Sequence, residues 1–373
     1  MKSAFQIGKI AGIPVRLHLT FLAIIPVIAY IFAITSVPFF GKLYGFGAVE
    51  PPLIRWIYSF VFAILLFVCV GLHELGHSMV AMRYGIKIKS ITLYIIGGVA
   101  AMEEIPRKPS KEALMAVAGP AVSGAIGAIC IILGSKLPII LNNGHPFTTL
   151  LWTLGIINII LMGFNLIPAF PMDGGRILRA GLATKMPYVA ATRQAASIGK
   201  IFAVIMGLMG VIPITYGQPI NPWLIIIASF IYIGASEEAK ATSISVSLEG
   251  VQVKDIMSTD LQTVSPDMTV RELLNMMFHE KHRSYPVLQN NKLAGIVTLT
   301  DVQKVDKEIR DSTNVGDIMV KKIYVIEPHA GASEAMKKMV TMRIRRLPVM
   351  ENGNLVGVLS RSDLLRAVEL CSE

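Results

Sequence analysis

The chain has 373 residues, 53% of them hydrophobic and only 16% charged, with a mean hydropathy of +0.59. These values exclude an ordinary soluble protein, in which about a quarter of residues are charged. The net charge of +10 is confined to one half: residues 1–245 hold 18 Lys and Arg against 8 Asp and Glu, and residues 246–373 hold 17 of each. That distribution reads as membrane topology and gives no nucleic-acid footprint.

Six apolar stretches follow one another at 18–37, 56–82, 113–135, 149–170, 199–216 and 222–236. A hydrocarbon core of about 30 Å needs roughly 20 residues of helix, so each is expected to cross a membrane. Six crossings leave 1–17, 83–112, 171–198 and everything after 236 on one side. That side holds 15 of the 18 basic residues, and the other only Lys42, Arg55 and Lys136. Both termini are therefore expected in the cytoplasm, in a multi-pass cell-membrane protein. The N-terminus does not read as a cleavable signal, because its first apolar run lacks a small-residue cleavage site and further spans follow. Cys69, Cys130 and Cys371 are scattered and give no disulfide framework or cysteine metal site.

The second stretch contains His73-Glu74-Leu75-Gly76-His77, with no charge between Trp56 and Leu72 or between Ser78 and Met82. An ionisable group at the bilayer centre costs about 2.5–3.5 kcal/mol on the mildest scale, so something must compensate. Positions i and i+4 share a helix face, so His73 and His77 can grip one metal ion. Glu74 stands beside them, where a general base for an attacking water belongs. The rival account is a polar trio satisfied between helices.

Between the second and third stretches, the alternation over Ile86–Tyr94 reads as a strand, with Gly97-Gly98 allowing a turn. Open sheet edges do not face lipid, so this strand must pack on protein or pair with an incoming extended peptide. The fourth stretch ends in Asn165-Leu-Ile-Pro168-Ala-Phe-Pro171-Met-Asp173-Gly174-Gly175. A hydrolytic zinc site uses three protein ligands and keeps one position open. Glu103, Glu104, Glu112, Glu237 and Glu238 read as interfacial, and Glu50 falls in an opposite loop. Asp173 is left as the acid that can fold back, with Pro168 and Pro171 breaking the helix and the glycines permitting a sharp turn.

These paired motifs resemble the site-2 protease family of intramembrane zinc metalloproteases. His73, Glu74, His77, Asn165, Pro168, Asp173 and Gly174 match the family pattern, and Gly97-Gly98-Val99 and Ala118-Gly119-Pro120 are similar to it. The resemblance spans residues 1–240. It implies one zinc per chain on His73, His77 and Asp173, Glu74 as catalytic base, and Asn165 as a substrate or oxyanion contact. It also implies that the strand region at 86–101 pairs with an unwound, membrane-anchored or single-span protein substrate.

Residues 246–373 contain a duplication. Asp255-Ile-Met257 returns as Asp317-Ile-Met319, Pro286-Val287 as Pro348-Val349, Gly295 as Gly357 and Asp301 as Asp363, always 62 residues on. Without gaps, 253–305 is identical to 315–367 at 14 of 53 positions, well above the roughly one in sixteen of chance. The pattern resembles a CBS pair. That resemblance implies an adenine nucleotide as ligand, with Thr298, Asp301, Ser360 and Asp363 at ribose, and His282, Arg283, Arg343, Arg345 and Arg346 within reach of phosphates. It also implies a homodimer through the CBS modules.

The expected fold class is a polytopic α-helical membrane protein of six spans with a small membrane-associated β-structure and a C-terminal α/β CBS pair. Residues 1–245 would form the protease domain and 246–373 the cytosolic pair. The expected activity is zinc-dependent endopeptidase cleavage within the membrane, modulated by nucleotide. The rival is a CBS-regulated divalent-metal transporter using the same buried groups. That rival predicts inverted repeats among the spans, and none is visible.

Overall fold

The computed structural model describes residues 4–39, 42–94, 97–102, 106–137, 145–212 and 220–370. Glu103, Glu104 and Cys371, read above as interfacial acids and a scattered thiol, lie outside the described residues. The chain divides into two compact units, Met1–Lys240 and Ala241–Glu373.

The first unit opens with strands β1 (Ala4–Ile10) and β2 (Ile13–His18), followed by helix α1 (Leu19–Ile34). The imidazole of His18 caps α1 by accepting from the Thr20 amide. A short hairpin follows, β3 (Val37–Phe39) and β4 (Lys42–Tyr44). Helix α2 (Pro52–Arg83) then starts at a proline, where the missing N–H costs nothing. Strands β5 (Ile88–Tyr94) and β6 (Gly97–Met102) lead to α3 (Pro109–Lys136), α4 (Pro146–Asn165), α5 (Asp173–Leu182), α6 (Tyr188–Val211) and α7 (Pro222–Ser247).

Among the described residues, four helices are long and apolar enough to cross a membrane: α2, α3, α4 and α6. Six such helices were expected. Helix α1 is apolar but has 16 residues, about 24 Å of rise against a core of about 30 Å. In α7 the apolar run gives way to Glu237, Glu238 and Lys240. The outward faces are nevertheless greasy. Val61, Ile64 and Val68 on α2, Ile129 and Ile132 on α3, and Ile201, Ile205 and Leu208 on α6 are all exposed. Such faces belong in hydrocarbon and not in water.

The fourth stretch stops short of its expected end at residue 170, because α4 finishes at Asn165. Pro168 lacks a donor and disfavours helix in the residue before it. The freed segment turns, and α5 begins at Asp173, where an acid complements the helix dipole.

Strands β1, β2, β5 and β6 form one sheet in the order β1-β2-β5-β6, with β2 and β5 parallel, and β3 and β4 pair separately. Gly97 and Gly98 are inside β6, paired with Tyr94 and Leu93, and do not form the turn expected of them. The β1–β2 hairpin was not anticipated either. Its basic residues had been read only as a topology signal.

In the second unit, each repeat gives a short helix, a longer helix, a two-stranded hairpin and a closing helix. The first copy is α8 (Val253–Ile256), α9 (Val270–Glu280), β7 (Ser284–Gln289), β8 (Lys292–Thr298) and α10 (Leu299–Gln303). The second is α11 (Val315–Ile318), α12 (Ala332–Met342), β9 (Arg346–Glu351), β10 (Asn354–Ser360) and α13 (Arg361–Leu370). Val264, Leu273, Tyr285, Val287, Val297 and Val302 form one core. Their counterparts Ile326, Ala335, Leu347, Val349, Leu359 and Leu364 belong to the other. The duplication thus copies the burial pattern as well as the sequence. Leu347 is fully buried, so Leu347→Ala is expected to destabilise the second unit by about 2–5 kcal/mol. Denaturant unfolding followed by hydrogen exchange in residues 241–370 checks this.

Candidate metal centre

His73 and His77 lie on consecutive turns of α2, both buried, and Asp173 meets them from the start of α5. The Oδ2 atom of Asp173 is 3.3 Å from His73 Nε2 and 3.1 Å from His77 Nε2. The two Nε2 atoms are 3.2 Å apart. Among the described residues, this is the group of His, Cys, Asp or Glu side chains whose spacing suits a metal ion.

The hydrogen bonds behind the ligands settle what the front atoms are. His77 Nδ1 lies 2.7 Å from the Met115 carbonyl. A carbonyl only accepts, so Nδ1 carries a proton, and neutral His77 presents a lone pair at Nε2. His73 Nδ1 is held at 2.9 Å by Ser123 Oγ. His77 Nε2 and the Asp173 carboxylate thus converge as acceptors, and His73 Nε2 completes the group. A cation resolves this. Tetrahedral zinc with bonds of about 2.0–2.1 Å sets its ligand atoms about 3.3 Å apart, which the observed separations nearly match. The donor set fits zinc, and the outer hydrogen bonds are of the type that fix ligand tautomers.

Two glycines make this geometry possible. A methyl group at Gly119 on α3 would strike Nε2 of both His73 and His77. A side chain at Gly98 on β6 would strike the methylenes of Glu74. The edge strand of the sheet therefore runs against the residue next to the metal ligands.

Asn165 is half-buried at the end of α4, and its Nδ2 donates to the Leu161 carbonyl of its own helix at 2.9 Å. That bond leaves its carbonyl oxygen as an acceptor. Arg176, one turn along α5, reaches Asp173 Oδ1 only at 4.0 Å.

Sequence reasoning missed a second polar cluster nearby. Arg179 is 1% exposed and Glu112 fully buried, and Arg179 Nε donates to Glu112 Oε1 at 2.8 Å. Arg179 Nη1 also donates to Glu238 Oε1 at 2.6 Å. Glu112, read above only as interfacial, is buried against Arg179. Within a stretch of basic and acidic residues, no local signal separates a buried pair from a topology charge.

The second unit holds a cavity of about 240 Å³ whose lining includes Asp260, Gln262, His282, Tyr285, Arg346, Ser360 and Asp363. Of the residues expected at a nucleotide, Ser360, Asp363, His282 and Arg346 line it. Thr298, Asp301, Arg283, Arg343 and Arg345 do not. Thr298 Oγ1 instead donates to Asp301 at 2.6 Å, and Lys304 Nζ lies 3.2 Å from the same carboxylate. The Tyr285 hydroxyl is buried without a protein partner among the described residues. Burial pushes its pKa up, so it stays a neutral donor facing the cavity.

Comparison with known proteins gives a consistent result. The description "Peptidase family M50" matches residues 61–139 and 138–207, and "CBS domain" matches 253–308 and 315–370. The chain is 38% identical to "Zinc metalloprotease MJ0392" of Methanocaldococcus jannaschii over 370 residues, covering 99% of this chain and 97% of the relative. It is similar to the solved "Site-2 Protease from Methanocaldococcus jannaschii" at 41% identity and a TM-score of 0.43, covering 63% of this chain and 95% of that one. The second unit is similar to the CBSX2 protein solved in complex with AMP, at 28% identity and a TM-score of 0.31, covering 33% of this chain and 100% of that one.

Because Gly119 touches both imidazoles, Gly119→Ala is expected to lower zinc affinity about 10- to 100-fold. Chelator competition on the purified protein reads this directly.

Proposed function

The chain belongs to peptidase family M50, the site-2 proteases, and is a zinc metalloprotease with a tandem CBS pair; on that premise we propose that it cleaves membrane-anchored proteins within the bilayer under nucleotide control. The convergence of His73, His77 and Asp173 inside an apolar helical unit is the observation that carries this reading. One zinc is bound per chain, by those three residues. Zinc, when bound, supplies the Lewis acidity that makes water a competent nucleophile near neutral pH.

Glu74 takes the proton of the attacking water and passes one to the leaving amine. Its neighbours support that role: it sits on the ligand helix but points its methylenes at Gly98 of β6. A helical substrate hides its carbonyls and must be extended before attack. Strand β6 is an edge of the sheet, and an extended peptide paired there would be presented beside Glu74. Asn165 contacts the substrate or the developing oxyanion. Six spans with both termini in the cytoplasm form the scaffold, in keeping with the distribution of basic residues.

In the CBS pair, an adenine nucleotide occupies the cavity lined by Ser360, Asp363, His282 and Arg346, and the pair forms a homodimer. The boundary between the two units falls inside helix α7, which supports transmission of the nucleotide state to the protease. Divalent-metal transport is not favoured, because relatives matched over nearly their whole length are named zinc metalloproteases.

The deciding assay uses purified protein with a tagged single-span substrate. Glu74→Gln is expected to lower cleavage by about 10²–10⁴-fold while zinc content stays unchanged. Zinc flux in liposomes without cleavage would instead revive the transport reading. Adding ATP or AMP is expected to change the wild-type cleavage rate and to leave Asp363→Asn unaffected. Activity insensitive to nucleotide and to removal of 246–373 would end the regulatory part.

A further inference from the structure

One stripe of helix α3 touches every element of the metal centre. Met115 accepts from His77, Gly119 makes room for both imidazoles, and Ser123 holds His73. These positions are four residues apart and so share one face. Glu112, one turn before Met115, continues the same face. It receives Arg179, which stands on α5 six residues after Asp173.

We propose that the Glu112–Arg179 pair is a positioning device for Asp173, locking α5 onto the helix that already orients His73 and His77. The inference rests on the zinc reading above. Helix α5 has only ten residues, too short to hold its own shape or place in isolation. It follows a turn containing two prolines, so its angle is set by whatever grips it. The grip is directional. The guanidinium donates to Glu112 through Nε and Nη2 and to Glu238 through Nη1. Its centre lies 5.0 Å from the Phe170 ring and 4.9 Å from the Tyr188 ring. Phe170 itself belongs to the turn leading into Asp173. A forked cation held in this way fixes rotation as well as distance, which a lysine cannot do.

The pair is not optimised for stability. Glu112 Oε2 is buried without a partner among the described residues, and buried ion pairs are often replaceable by apolar groups without loss. What an apolar pair would not supply is a defined orientation for α5.

The test is zinc affinity by chelator competition, with the visible spectrum of the cobalt-substituted protein as a second readout. Glu112→Gln keeps the shape, and Arg179→Lys keeps the charge. Each is expected to weaken zinc binding at least tenfold and to alter the cobalt bands while the protein remains folded. The double variant is expected to lose no more than the worse single one. Affinity within twofold of wild type in a folded variant overturns the proposal, as does failure of both single variants to fold, since the pair would then hold the fold and not the ligand. Absence of zinc binding by the wild type would instead overturn the metal reading on which the inference rests.

Discussion

Two imidazole nitrogens and a carboxylate oxygen converge within 3.3 Å of one another. In water, solvent would separate them. In an apolar helical unit, a metal cation can take the place of solvent. Everything around the centre serves to keep that arrangement from relaxing. The Met115 carbonyl dictates the tautomer of His77, the absence of a side chain at Gly119 lets α3 close on α2, and Ser123 restrains the second ring. The helices are thus arranged for a small polar cluster, and their apolar outer faces carry no comparable specificity. Lipid-facing positions need only be greasy, whereas a single methyl group at Gly119 on the inner face of α3 would displace both imidazoles.

The sequence was most legible where chemistry demands a fixed spacing. Histidines at i and i+4 on a charge-free helix could be read as one face, and the 62-residue offset exposed the CBS pair before any core was visible. Legibility failed where the deciding partner is distant in sequence. Glu112 and Arg179 are 67 positions apart, and each alone looks like a charge at a membrane boundary. The β1–β2 hairpin failed for a related reason. Its pairing with β5 joins segments more than 70 residues apart, and its basic residues already had a topological explanation. Four of the six expected spans appear as helices long and apolar enough to cross a membrane, because mean apolarity alone does not fix helix length.

Duplication and divergence are both visible in the second unit. Core positions keep their burial across the two copies while individual side chains change size, as at Leu273 and Ala335. The clefts do not need to match. Tyr285 in one copy corresponds to Leu347 in the other, and His282 to Ile344. The polar lining therefore gathers on one side, around Ser360 and Asp363, while Asp301 is engaged by Thr298 and Lys304. On the proposed reading, a nucleotide would meet an asymmetric pair and prefer one cleft.

On the proposed reading, the meeting of sheet and helix at Gly98 and Glu74 joins the two requirements of cleavage inside a bilayer. A peptide bond in a helix is protected by its own hydrogen bonds, so the scissile segment needs a substitute set of partners while it is open. An edge strand supplies those partners along its whole length. Its register then determines which carbonyl is presented. Because β6 has no side chain at Gly98, its backbone comes up against Glu74 without an intervening layer. A bulkier residue there would move the strand outward and with it any peptide paired to it. The same backbone contact that lets the strand pack on α2 would, on that reading, set the distance at which a substrate is offered to Glu74.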